Sequence, residues 1–521
     1  MQFALRTICA TAIAGAVLGL HIPGYGAPRL IVRTEQGRVH GKLINAGAVR
    51  EFLGIPYAAP PVGDLRWRPP EAPLSWHGVR DATHYGHRCM QGRLFPDMIF
   101  QDSGPSEDCL YLNVFTPAHA HRRSKLPVMF WIYGGGYQAG SASEPRYDGD
   151  FLPRRGVVLV TINYRVGVFG FLATPALAQE DNSAAGNYGL MDMVAALKWV
   201  RANIRRFGGD PENVTISGES AGSMAVCTLM ASAPAQGLFQ KAIGESGGAM
   251  NLGAPGTPTL AQVEKRDQRW VNSLGVKTLA QLRALPAQTI LDASLKRGAP
   301  RFWPVIDGKL LTEPVAATYA AGKQAHIPLL AGWNKDESTT LAKGMTVEKW
   351  RAFAHKHFGY RAAKFLRLYP GYTDDEAVRS AIAYGSDRFI AFDTWRWIEA
   401  QRKTGDSTVY RYLFEMPAPP SRFHPGGYAF HSDEIEYVFG TLYTRPGAVW
   451  RPGDLLLSDQ MMIYWTNFAQ SGNPNGRGAP DWPPYNDDNI VLHLNRVITV
   501  LTSRERARYK FLREVLPPAR Q

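Results

Sequence analysis

Gly218-Glu219-Ser220-Ala221-Gly222 has the form G-x-S-x-G, placed where a β-branched run (Val214, Thr215, Ile216) meets a small-residue helical pattern (Ala221, Gly222, Met224, Ala225). A nucleophile elbow needs this context. The turn is too tight for side chains two positions either side of the serine, so glycine stands at both. Such an elbow lifts the Ser220 hydroxyl above the sheet edge, and the helix start behind it aims backbone N–H groups at developing negative charge. A second match, Gly244-Glu245-Ser246-Gly247-Gly248, runs into a loop-forming stretch instead of a helix. Ser246 is therefore read as a residue at the end of the next strand, and Ser220 as the nucleophile.

A serine hydroxyl is a weak nucleophile and needs a base within hydrogen-bond reach, itself oriented by a carboxylate. In strand–helix sheets the partners follow the serine in the order acid, then histidine. Six histidines lie beyond Ser220. His326 opens a strand, the wrong end for a site built at strand C-termini. His355 and His357 fall on an amphipathic helical stretch, and His493 in a late apolar run. His424 and His431 remain, both in the loop after the run 408–416; His431 stands directly before Ser432-Asp433-Glu434-Ile435, a segment that can anchor it. For the acid, Asn334-Lys335-Asp336-Glu337 follows the apolar run 326–333, and both Asp336 and Glu337 qualify. Gly134-Gly135-Gly136 ends another apolar run, 127–133. Glycines there let the backbone approach a substrate, so the N–H groups of Gly135, Gly136 and Ala221 would form an oxyanion hole. The chemistry these residue types offer is acyl transfer through a serine, which requires no metal or organic cofactor.

The elements that must position these groups alternate. Apolar runs at 127–133, 156–162, 214–216, 239–244, 326–333 and 408–416 are separated by helical patterns, the clearest at 191–207 with Met193, Val194, Leu197, Val200 and Ile204 on one face. Continuous apolar strands between helices predict an α/β fold with a mostly parallel central sheet covered on both faces. The N-terminal part, 29–57, reads as short strands, and the Pro-rich 58–73 as ordered loop. Residues 249–325 and 342–405 read as helix-rich insertions over the sheet edge, with no linker to set them apart, so 27–521 is expected to form a single domain.

Composition sets the outer bounds. A chain that is 45% hydrophobic and 20% charged has ample core and is neither disordered nor fibrous. The first 26 residues read as a signal peptide: Arg6, an apolar stretch 7–20, then small residues at Gly24, Gly26 and Ala27. That stretch falls short of the about 20 residues a membrane span needs, so export by cleavage to the periplasm or exterior is expected. Cys9 lies in the signal, Cys89 and Cys109 close a short loop and could pair outside the cytoplasm, and Cys227 reads as a buried thiol. The net charge of +13 carries no nucleic-acid module; it is read as surface charge, or as a preference for anionic substrates.

These motifs resemble the type B carboxylesterases, the α/β-hydrolases that include cholinesterases and bacterial esterases. The likeness runs from about Arg29 to about Tyr509 and rests on Phe52-Leu53-Gly54-Ile55-Pro56-Tyr57-Ala58, Glu107-Asp108-Cys109-Leu110-Tyr111-Leu112-Asn113-Val114, Trp131-Ile132-Tyr133-Gly134-Gly135-Gly136, the Ser220 motif, Asn334-Lys335-Asp336-Glu337 and the segment 431–440. The resemblance implies an α/β-hydrolase fold and a serine carboxylesterase acting on a small-molecule ester. It implies Ser220 as nucleophile, Glu337 as acid and His431 as base, with Gly135, Gly136 and Ala221 as oxyanion donors. It also implies a Cys89–Cys109 disulfide, a supporting place for Ser246 near the acid, and water-holding places for Glu219 and Glu434 beside the triad. The chain departs from the family in carrying Tyr137 where phenylalanine is usual. Its segment 90–108 also lacks the tryptophan that binds choline in cholinesterases. With no aromatic face for a quaternary ammonium and a basic surface, the sequence argues against a cholinesterase. A hydrolase of bulky or polyanionic esters is the alternative, and all three triad types standing in order argue against a non-catalytic binding homologue. Phe302, Trp303 and Met250 are expected in the acyl pocket.

Overall fold

A computed structural model describes residues 28–180, 185–254, 256–503 and 505–516; the signal reading at 1–26 lies outside them. An 11-stranded sheet runs through the molecule. In chain order its strands are β1 (Lys42–Ile44), β2 (Val49–Pro56), β3 (Tyr111–Pro117), β4 (Leu126–Ile132), β5 (Val158–Ile162), β6 (Gly209–Glu219), β7 (Lys241–Glu245), β8 (Leu329–Asn334), β9 (Val409–Phe414), β10 (Ile490–Leu494) and β11 (Thr499–Thr502). Across the sheet they stand β11-β10-β9-β8-β7-β6-β4-β5-β3-β2-β1. From β5 to β10 all neighbours are parallel. The pairs at the two margins are antiparallel. This is the α/β-hydrolase fold.

The apolar runs explain the arrangement. Val128, Phe130, Ile132, Val158, Leu159, Val160, Ile243, Leu329 and Leu330 are all fully buried, because helices cover both faces of the parallel part and neither side of a strand meets water. Helix α1 (Tyr188–Asn203) turns Met193, Leu197 and Val200 onto the sheet, and a 3-10 turn at Ile204–Phe207 ends it before Gly208. Helix α2 (Ala221–Met230) follows β6 directly and is buried almost throughout. The insertions are helical as expected, including Leu260–Ser273, Val347–Phe358, Asp374–Ser386 and Phe392–Thr404. Strand β8 begins at Leu329, so His326 lies ahead of the sheet with its imidazole beside the Gly322 carbonyl. Among the described residues, no helix is long and apolar enough to cross a membrane.

Cys89 and Cys109 form a disulfide across 20 positions of sequence, and both sulfurs are buried; Cys227 is a buried free thiol. Closing a loop of this length constrains the unfolded chain by about 3 kcal/mol. Cys109→Ser should therefore lower the urea midpoint of unfolding, and a reductant should lower that of the unaltered protein by a similar amount. Equal midpoints with and without reductant would remove the disulfide from the account of stability.

Candidate active site

Ser220 ends the β6-to-α2 turn in a left-handed backbone conformation, φ 54° and ψ −121°. A non-glycine residue adopts such angles only when its surroundings hold it there. The Ser220 amide donates to the Glu245 carbonyl of the neighbouring strand at 2.9 Å, and its carbonyl accepts from the Met224 amide, also at 2.9 Å. The flanking glycines are required by contact. A Cβ on Gly222 would lie 2.0 Å from the Ile132 carbonyl oxygen, and one on Gly218 would lie 2.6 Å from the same atom.

Three elements converge on this serine. His431 Nε2 lies 2.8 Å from Ser220 Oγ, and His431 Nδ1 lies 2.6 Å from Glu337 Oε2. The other oxygen of Glu337 accepts from the Asn334 amide at 2.7 Å, so the carboxylate is held by the end of β8 itself. Asp336, the rival acid, faces elsewhere: its carboxylate accepts from the Ala429 amide at 3.1 Å and fixes the loop that carries the histidine. His424, the rival base, stacks on Phe430 with ring centres 3.8 Å apart. The histidine loop is further held by Asn334, whose side chain donates to the Phe430 carbonyl at 2.7 Å, and by the ion pairs of Arg445 with Asp433 and Glu436.

Behind the histidine lies a group of buried acids. Glu219 accepts from Ser432 Oγ at 2.8 Å and approaches His431 Nε2 to 3.4 Å. Glu434 accepts from the Asn334 amide group and, at 3.4 Å, from Ser246 Oγ. Ser246 is thus linked to Glu337 through Glu434 and Asn334, and Glu219 and Glu434 both lie beside the triad. Burial raises the Glu219 and Glu434 pKa values, and the mutual repulsion of these carboxylates raises Glu434 further. Burial also pushes Glu245, which accepts from Trp465, up to about 8. Burial of His431 favours its neutral form, but the negative charges of Glu219 and Glu337 outweigh it and hold its pKa up at about 9.

Gly135 and Gly136 have φ of 99° and 61°. Among the described residues, nothing accepts a hydrogen bond from the amides of Gly135, Gly136 or Ala221. These donors are left available for an oxyanion. Ser246 also has a left-handed backbone, φ 54°, but it is fully buried, donates its amide to Gly332 and is not followed by a helix.

A cavity of about 940 Å³ adjoins the site, lined in part by Met224, Met250, Trp303 and Phe389. The Phe389 ring packs edge-on against His431 at 5.0 Å. Phe302 does not line this cavity: it points into the core against Trp270 at 5.1 Å, because alternate residues of an extended segment face opposite ways. Asn334 and Phe389 were not singled out by sequence. Asn334 was visible as the first residue of the acid motif, whereas nothing local marks Phe389 within its helical insertion.

A family model described as Carboxylesterase family matches residues 28–512. The chain is 38% identical over 484 residues to a Fumonisin B1 esterase of Sphingopyxis macrogoltabida, covering 88% of this chain and 85% of the relative. It is 37% identical over 491 residues to a para-nitrobenzyl esterase of Bacillus subtilis, covering 90% and 96%. Among solved structures, a Geobacillus stearothermophilus carboxylesterase superposes with a TM-score of 0.80 at 33% identity, covering 92% of this chain and 99% of that one.

Proposed function

The chain belongs to the carboxylesterase family and is a serine carboxylic-ester hydrolase, and from that premise we propose that Ser220, His431 and Glu337 are its catalytic triad. His431 takes the Ser220 proton as the oxygen attacks the ester carbonyl. The oxyanion that forms is held by the amides of Gly135, Gly136 and Ala221. Collapse of this intermediate breaks the bond to the alcohol, which leaves with the proton from His431. Water then attacks the acyl-serine by the same route, releasing the carboxylic acid and restoring the hydroxyl. Glu337 orients the imidazole and stabilises its charged form. Ser246, Glu219 and Glu434 support the triad from behind. The unbroken contact chain from Ser220 Oγ through His431 to Glu337 carries this reading.

Hydrolysis of 4-nitrophenyl acetate tests it. A burst of nitrophenol followed by steady turnover is expected, and its absence would count against an acyl-serine route. The pH profile gives an independent check. Only neutral imidazole accepts the serine proton, and the two carboxylates favour the charged form. The rise of kcat/KM with pH should therefore lie between the ordinary imidazole value of 6.5 and about 9. Glu219→Gln removes one negative charge, favours the neutral form, and should move the rise to lower pH. A profile already flat above pH 6, or one indifferent to this substitution, would contradict the assigned role of Glu219.

The same reading extends to the rest of the chain. Residues 1–26 act as an export signal, and 27–521 form one catalytic domain that works in an oxidising compartment, a placement supported by the Cys89–Cys109 bond. The cavity beside the triad suits esters with a bulky acyl or alcohol group.

A further inference from the structure

Arg301 is one of the arginines near the site that make no ion pair among the described residues, as Arg388 and Arg513 on the cavity wall also make none. Arg66, Arg88, Arg146 and Arg445 are each paired with carboxylates, namely Glu107, Asp102, Glu144, and Asp433 with Glu436. Among the described residues, the Arg301 guanidinium has no ion-pair partner, and its protein contact is the face of Trp303, 4.2 Å from the ring centre. Although the residue as a whole is solvent-accessible, its packing takes water off the guanidinium and pulls its pKa down.

Its guanidinium lies beside the glycine loop. A Cβ built on Gly136 would lie 3.1 Å from Arg301 Nη2, so the guanidinium sits against the turn whose amides are proposed to hold the oxyanion. The segment carrying it is clamped to that loop at two points. Gln138 Nε2 donates to the Phe302 carbonyl at 2.5 Å, and the Tyr137 ring meets Trp303 edge-on at 4.9 Å. Tyr137 and Trp303 also line the cavity beside the triad. Arg301 is not on the wall of that cavity, so an ester with its carbonyl oxygen at Gly136 would meet the guanidinium with the substituent that leaves the glycine loop on that side. Guanidinium geometry matches a carboxylate, with which it forms two parallel hydrogen bonds.

Resting on the proposed triad and glycine pocket, we propose that Arg301, braced by Trp303, binds a free carboxylate on the substrate and selects anionic esters over neutral ones. Arginine serves here as a specificity determinant and takes no part in bond making.

The test compares esters matched in size and differing in charge. Mono-4-nitrophenyl glutarate against 4-nitrophenyl valerate places the carboxylate on the acyl side. Acetoxybenzoate against its methyl ester places it on the leaving group. In Arg301→Gln, the anionic-to-neutral ratio of kcat/KM should fall about 10- to 100-fold in at least one pair, the size expected of a charge-assisted hydrogen bond, mainly through KM. The pair that moves identifies the side. Arg301→Lys should recover part of the ratio. Arg122→Gln removes the same charge from the exposed turn before β4, at the opposite end of the strand from the glycine loop, and should leave the ratio unchanged. Unchanged ratios in both pairs for Arg301→Gln, or an equal fall in Arg122→Gln, would overturn the proposal. Neutral-ester turnover by the unaltered enzyme keeps the two readings apart: if it is present while the ratios do not move, only the Arg301 assignment fails.

Discussion

Ser220→Ala should lower kcat for 4-nitrophenyl acetate roughly 10⁴- to 10⁶-fold, leaving only what the oxyanion donors and substrate binding supply. The size follows from the contact chain. His431 Nε2 has Ser220 Oγ at 2.8 Å, and without that oxygen the imidazole has only water to activate. The Ser220 backbone, at φ 54°, is held by its amide bond to Glu245 and by the close packing of Gly218 and Gly222. Alanine keeps every one of those backbone contacts, so folding should be preserved. Steady-state kinetics together with a thermal unfolding curve would check this. A loss of less than tenfold in a folded variant would mean another nucleophile carries the reaction.

Gly135→Ala should lower kcat by roughly 10²- to 10³-fold, the cost of losing one oxyanion donor, with a smaller change in KM. A Cβ at this position would lie 2.1 Å from the Ala139 carbonyl oxygen and 3.0 Å from the Met98 methyl, on a backbone with φ 99°. Carbonyl oxygen and turn cannot both stay in place, so the loop must shift and its amides with it. Gly136→Ala makes the useful comparison. At φ 61° it is strained as well, but its Cβ would meet only the end of the flexible Arg301 side chain at 3.1 Å. Its effect on kcat should be clearly smaller. If the two variants lose activity equally, backbone strain and not donor placement sets the rate.

Much of this site was readable from the chain because its parts sit at punctuated strand ends. The serine lies between Gly218 at the end of β6 and Gly222 in the first turn of α2, the acid one turn after β8, and the three-glycine loop just after β4. Local composition marks each of them. The histidine was harder, since the loop after β9 carries two, and spacing does not separate them. His431 differs from His424 only through long-range contacts: Asn334 and Asp336 hold its loop from β8, while His424 stacks on Phe430. Asp336 and Glu337 both reach that loop, nearly a hundred positions away, and are separated only by what each meets there: Glu337 the His431 ring, Asp336 the Ala429 amide. The insertions were legible as helices but not as pocket walls. Met250 and Trp303 line the cavity, Phe302 turns into the core, and Phe389 reaches His431 from a helix whose sequence gives no sign of it. Pocket shape depends on how helices dock, and docking leaves no short-range signature in sequence.

Which serine becomes acylated is the direct question, because two G-x-S-x-G segments exist and only one is proposed to react. Incubation with diisopropyl fluorophosphate followed by tryptic mass spectrometry answers it, since Lys241 separates the fragments 207–241 and 242–265. The diisopropylphosphoryl mass should appear on 207–241, with fragment ions assigning it to Ser220, and activity should fall in step with labelling. Label on Ser246, or inhibition with neither fragment modified, would contradict the account.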